Sequence, residues 1–368
     1  MMKRHGPAAG TLALLVLFCV ALPGFGQPPD APPAFGLVLT GGGSFGAFEA
    51  GAIHAWYTRW QHEHGGTPPP IRVIAGTSTG ALIGPFVALG PDGVETVANL
   101  YRKINQGDIL SPKLSVVLPF AAFSSWSSSA YSANPLKHIL QRELPDTKLQ
   151  RIKDQWPGLR LVVLGTNFGT GKPAPFTNSP DQMALGLSRF RDGVLASTIS
   201  PLATPPVYIK SGSSTRAEPI LDGGIHAVAP FQAFFDLAAQ SPEVEITQLI
   251  VVSAYPAFPS DDSASVQKKY PAHPNFGDIG ARMDATISES SISKEIALAW
   301  AAIELRKAGV TADQVKERTG FYIPKPPKEL VVIAPVKRLG WNNLRFDPTE
   351  MGKMFTLGEN ASPQKLVP

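Results

Sequence analysis

Short, unbroken apolar runs alternate along this chain with longer stretches whose apolar residues recur at helical spacing. Residues 35–40, 71–77, 159–166, 219–222, 247–253 and 329–334 have the length and apolar continuity of buried strands. Helical periodicity runs over 47–60, with Phe48, Ile53 and Trp56 among its apolar positions, and again over 79–89, 94–104, 183–196 and 291–308. The alternation predicts an α/β fold of three layers, α/β/α, with a mainly parallel central sheet covered by helices on both faces. In such a sheet the C-terminal ends of the strands share one edge, and the loops leaving them converge there. No internal repeat interrupts the pattern.

The two ends depart from it. Lys3, Arg4 and His5 precede an apolar run over 11–22, and Pro23, Gly24, Phe25, Gly26 and the polar Gln27 follow. A basic region, a short apolar core and a small-x-small pattern mark residues 1–26 as a secretion signal. The chain is therefore expected to be exported, to the periplasm, the outer membrane or the medium. A retained membrane anchor stays open as an alternative, and so does lipid attachment at Cys19, although Phe18 stands where a small residue belongs. Residues 27–34 read as a Pro-rich extended leader and 362–368 as a flexible tail, leaving 35–361 as one large α/β domain. Cys19 is the only cysteine, so the mature chain has no disulfide and no thiol chemistry. The formal charge of +4 falls to +2 once Lys3 and Arg4 leave. No Lys/Arg stripe with interleaved aromatics appears, which argues against a nucleic-acid partner.

Candidate chemistry lies at two glycine-rich turns. The first apolar strand runs into Gly41, Gly42, Gly43, Ser44, Phe45 and Gly46, ahead of a helix. Three successive glycines let backbone N–H groups converge on one point, which makes an anion cradle for a phosphate or for the oxygen of a tetrahedral intermediate. Gly41, Gly43 and Gly46 also match the dinucleotide fingerprint. That reading needs an acidic residue at the end of the second strand, where Ala75, Gly76 and Thr77 stand instead, and Glu63 falls in the polar connection 62–70; no nucleotide is expected. The second turn is Gly76-Thr77-Ser78-Thr79-Gly80, a G-x-S-x-G between a strand and an apolar helix. It presents the serine on a strained backbone at the helix N-terminus, or else closes a strand–helix unit with no chemistry. A third strand ends in Asp222, Gly223 and Gly224. Between Lys113 and Lys137 there is no charged residue, while Leu114, Phe120, Trp126 and Tyr131 are among the apolar ones. This stretch is either a loop buried on the core or a lipid-facing lid.

Serine ester hydrolysis needs a nucleophile, a proton acceptor and donors for the oxyanion. Ser78, Asp222 and the amides of Gly42 and Gly43 offer all three. Together these pieces resemble the patatin-like phospholipase family. Its glycine-rich loop matches 40–46, its G-x-S-x-G matches 76–80, its D-G-G/A matches 222–224, and its A-S-x-x-x-P-x-x-x-P-P connection is similar to Ala196 and Ser197 through Pro201 and Pro205-Pro206. The similarity extends to Phe346, Asp347 and Pro348 and the helix after them. The resemblance implies a patatin-like three-layer fold and a Ser78–Asp222 dyad without histidine. It implies an oxyanion hole at Gly41, Gly42 and Gly43, with Gly46, Gly76, Gly80, Gly223 and Gly224 supporting the motifs. It further implies a lipid or membrane-surface substrate, most simply the carboxyl esters of phospholipids or lysophospholipids. No cofactor is implied. No metal is needed, and no His, Asp and Glu cluster has ligand spacing; Asp261 and Asp262 read as a solvated pair.

Two positions depart from the family pattern. Phe45 replaces the usual Arg or Lys beside the oxyanion loop, which is expected to alter substrate charge preference. Ala229 replaces a frequent Asn and removes a polar support for the Asp222 loop. An ordinary Ser–acid–His order would leave His273 as the only later histidine apart from His226, which shares a local segment with Asp222. A soluble-substrate esterase or thioesterase, and an inactive lipid-binding protein of the same fold, remain alternatives.

Overall fold

The computed structural model describes residues 33–112, 131–200, 203–210, 216–240, 244–258, 270–274 and 276–366. The expected secretion signal, the leader up to residue 32, the pair Asp261 and Asp262, and the uncharged stretch up to residue 130 lie outside the described residues.

Strands in chain order are β1 (Phe35–Leu39), β2 (Ile71–Thr77), β3 (Ser111–Pro112), β4 (Tyr131–Ser132), β5 (Arg160–Asn167), β6 (Lys172–Thr177), β7 (Val207–Lys210), β8 (Ala217–Asp222), β9 (Gln248–Val252), β10 (Glu329–Ile333) and β11 (Gln364–Lys365). Five of them form the parallel centre of one sheet, in the order β10-β9-β1-β2-β5. Antiparallel strands close both sides: β11 pairs with β10, β6 and β8 pair with β5, and β7 pairs with β8. β3 and β4 make a separate two-residue ladder.

Period-two alternation puts each central strand into two cores. Leu37 and Leu39 of β1 and Ile250 and Val252 of β9 join the cluster under α1 (Gly46–Glu63), α2 (Thr79–Ala88), α3 (Pro91–Lys103) and the helix Pro348–Glu359. Val38, Leu249 and Val251 join the opposite cluster, built on the helices Phe231–Ala238, Phe276–Lys307 and Ala312–Thr319. The three-layer α/β/α reading therefore holds, with a sheet that is parallel at its centre and antiparallel at its margins.

Several boundaries differ from the sequence expectation, each for a physical reason. The helix expected over 291–308 spans Phe276–Lys307; its first half buries Ala281 and Ala285, too small to register as apolar periodicity. The helix expected over 183–196 is two, Pro180–Ala184 and Leu187–Ser197, separated at Gly186, whose φ is 126°. The tail expected to be loose contains β11, and the Leu366 N–H donates to the Leu330 carbonyl at 3.0 Å.

Candidate active site

β5 acts as a splint for the site. β2 lies along one of its edges in parallel, with Thr77 opposite Leu164. The other edge carries β6, so β8 continues on the edge that β2 has left, running the opposite way, with Asp222 opposite Gly165. The C-terminal ends of β2 and β8 thus meet head to head on neighbouring residues of β5, and the residues that follow are Ser78 and Gly223. A Cβ on Gly223 would run into the Leu164 carbonyl, so only glycine permits this approach.

Ser78 has φ 52° and ψ −117°, the only positive φ of a non-glycine residue among those described. Its N–H donates to Ser197 Oγ at 3.0 Å, and Ser197 Oγ–H donates to the Leu164 carbonyl at 2.6 Å. A Cβ on Gly76 would strike the Gly80 carbonyl and one on Gly80 the Leu39 carbonyl, so the turn is closed by backbone contact on both sides. Ser78 Oγ–H donates to Asp222 Oδ2 at 2.8 Å. α2 starts at the next residue and directs its N-terminal dipole at the serine.

The second carboxylate oxygen, Asp222 Oδ1, accepts the Gly224 N–H at 2.7 Å, and the Asp222 N–H donates to the Ile199 carbonyl at 3.2 Å. Enclosure by protein pushes the carboxyl up to about 7; the bonds from the Gly224 N–H and the Ser78 hydroxyl pull it back, and the nearby Asp284 pushes it further up.

The glycine loop lies above this pair. The Gly41 N–H is committed to the Val228 carbonyl at 2.9 Å. Gly41 therefore fastens the loop, and the expectation that its amide serves as an oxyanion donor is corrected. The Gly42 and Gly43 N–H groups have no partner among the described residues. Gly43 has φ 56° and passes so close to the Asn343 carbonyl that no Cβ fits; the same carbonyl accepts the Ser44 N–H at 2.7 Å. Gly46 packs directly on Thr79, joining the starts of α1 and α2.

Ser78, Asp222 and Gly41 to Gly43 line a cavity of about 400 Å³. Leu110, Leu136, Ile199, Val228, Met283 and Phe346 contribute to its apolar walls. No histidine is among its described lining residues. His54 lies between Glu95 and Glu359, and His64 stacks on Trp60.

Four supporting residues were not singled out in the sequence for the parts they take. Ser197 was visible only as a letter of the proline-punctuated motif. Glu49, a lone carboxyl in an otherwise apolar stretch of α1, accepts both the Thr40 N–H and the Thr40 Oγ1–H at 3.1 and 2.7 Å. Burial raises its carboxyl well above the ordinary range, with the Thr40 bonds opposing. Glu295 accepts the N–H groups of Val228 and Ala229 at 3.3 and 2.6 Å, so the polar support that Ala229 lacks comes from the helix Phe276–Lys307. Asn343 carried no sequence signal. Phe45 is buried edge-on against Tyr255, 5.7 Å between ring centroids, and is not among the described residues lining the cavity.

With this geometry in place, the sequence profile of the patatin-like phospholipase family matches residues 37–235. The chain belongs to that family, and its class of activity is that of a patatin-like lipid acyl hydrolase. Comparison with curated proteins gives no match. Among solved structures, the crystal structure of VipD from Legionella pneumophila aligns over 91% of this chain and 68% of its own, at 15% identity and TM-score 0.36. The crystal structure of the type III effector protein ExoU aligns over 72% and 52%, at 14% identity and TM-score 0.27. The heterodimeric ExoU–SpcU complex from the type III secretion system of Pseudomonas aeruginosa aligns over 78% and 58%, at 15% and 0.28. The chain thus spans just over half the length of the two ExoU chains.

Proposed function

We propose that this protein is an exported serine hydrolase that cleaves carboxyl esters of phospholipids or lysophospholipids through a Ser78–Asp222 dyad. The observation that carries the reading is the 2.8 Å bond from Ser78 Oγ to Asp222 Oδ2 beside two amides that have no partner among the described residues, in a mainly apolar cavity. Ionised Asp222 takes the Ser78 proton as Oγ attacks the acyl carbonyl. The carbonyl oxygen becomes an oxyanion and accepts from the Gly42 and Gly43 N–H groups. Collapse of the tetrahedral intermediate breaks the ester bond, and the protonated Asp222 returns its proton to the leaving alcohol. Water, deprotonated by Asp222, then attacks the acyl carbon; the bond to Ser78 Oγ breaks, Asp222 returns the proton to Oγ, and the fatty acid leaves. An ordinary aspartate is a weak base near neutral pH; a carboxyl raised to about 7 is better matched to the task. Export rests on the basic and apolar pattern of residues 1–26.

The test is fatty-acid release from mixed phospholipid and lysophospholipid micelles by the chain lacking residues 1–26, beside folded Ser78→Ala and Asp222→Asn variants. Release should fall by at least about a thousandfold in both. Release that survives Ser78→Ala, or none by any version, would count against the dyad.

A further inference from the structure

The helix Phe276–Lys307 sets a second carboxyl into the cavity. Asp284 lines it together with Ser288 and Asn343. Asp284 Oδ2 accepts from Asn343 Nδ2 at 2.6 Å, and the same amide donates to the Tyr255 hydroxyl at 2.9 Å. Asn343 is buried, and its carbonyl holds the Ser44 N–H of the glycine loop. The Asp284 carboxyl is therefore fixed beside the oxyanion loop and cannot swing out without breaking a buried bond. Asp222 lines the same cavity.

Two carboxyls thus face the position of the scissile ester, and nothing described offsets them. No Lys, Arg or His is among the described residues lining the cavity. Burial raises both carboxyls above the ordinary range, with the Asn343 bond opposing at Asp284 and the Gly224 and Ser78 bonds opposing at Asp222, so their negative charge grows as pH rises. A head group of net negative charge held next to the ester would meet two acids, with no cation of its own to offset the repulsion. A like-charge juxtaposition in a partly dry site opposes binding, which is how a site excludes a competitor. An uncharged head group meets no such opposition, and an ammonium group gains an acidic partner.

We propose that Asp284 makes this cavity selective for acyl esters whose head group carries no net negative charge, either uncharged or ending in an ammonium group, and turns net-anionic head groups away. The proposal narrows the substrate class of the reading above and rests on it for the position of the ester.

The experiment measures affinities of three single-chain ether lipids of equal length, which cannot be hydrolysed, bearing glycerol, phosphocholine or phosphoglycerol. They are titrated as monomers into the full chain at low salt, and turnover of the matching esters is followed alongside. Phosphoglycerol should bind about tenfold more weakly than the other two. Asp284→Asn keeps an acceptor for Asn343 and should bring the gap within about threefold. Met283→Lys places a cation at the exposed rim of the cavity without touching the Asn343 bond, and should narrow the gap likewise. Equal or tighter binding of phosphoglycerol, a gap unchanged in both variants, or no binding of any of the three would overturn the proposal. Absent turnover with the affinity order intact would count against the hydrolase reading alone.

Discussion

Ser78 keeps a backbone conformation that costs a side-chain-bearing residue about 1–3 kcal/mol. It persists because the turn is fixed from three directions: Gly76 and Gly80 close it by backbone contact, and Ser197 holds its N–H. Ser197→Ala leaves that amide without its partner, a loss of about 1–3 kcal/mol for a buried donor. In steady-state assays we expect kcat to fall by about tenfold or more with little change in KM; an unchanged kcat would mean that the turn holds itself. Asp222 makes a second prediction at this scale. Its folded carboxyl keeps a proton up to about 7, whereas an unfolded aspartate loses one near 3.9. Between those values the folded state carries more protons, so stability falls as pH rises, and the loss is complete above the folded value. Asp222→Asn removes this contribution. Its melting temperature should exceed the wild type's at about pH 8.5, and the difference should shrink towards about pH 4. Wild-type kcat/KM should rise with pH through about 7 as the base ionises.

Among elements, the decisive arrangement is the antiparallel arrival of β8 on the edge of β5 that β2 has vacated. The loop after β8 is then held by Glu295, and through the Val228 carbonyl it holds Gly41. Glu295→Ala strands two N–H groups at about 1–3 kcal/mol each. Thermal melts should show a loss of several degrees, and assays a fall in kcat; Glu295→Gln, which keeps one acceptor oxygen, should recover most of both. Much of this architecture was legible beforehand. β1, β2, β5, β9 and β10 are continuous apolar runs, and the turns after β1, β2 and β8 announce themselves in glycine. The direction of β8 was not legible, because an apolar run carries no sign. β6 contains Pro173 and Pro175 and buries only Phe176, so it reads as a connection. The first half of the helix Phe276–Lys307 buries alanines, and it brings Asp284 into the cavity. Asn343 lies in irregular chain and acts through its carbonyl and its amide, a role that no local pattern marks.

Across the molecule, the parallel centre gathers β1 and β2 so that the glycine loop and the serine turn leave side by side, and the antiparallel margin supplies the acid. Two helices far apart in the chain finish the cavity: α2, which starts behind Ser78, and Phe276–Lys307, which supplies Met283, Asp284, Ile287 and Ser288 to its wall. Tyr131 and Leu136, at the close of the uncharged stretch, show where that stretch returns: Tyr131 pairs across the β3–β4 ladder, and Leu136 lines the cavity. Every feature of this account converges on one covalent event at Ser78. Mixing the full chain with a long-chain lysophospholipid, quenching in acid within the first turnovers and mapping peptides by mass tests it directly. The account predicts a fatty-acyl adduct on the peptide carrying Ser78, absent from Ser78→Ala. An adduct on another residue, or fatty-acid release with no adduct under conditions where deacylation is slowed by low pH, would contradict it.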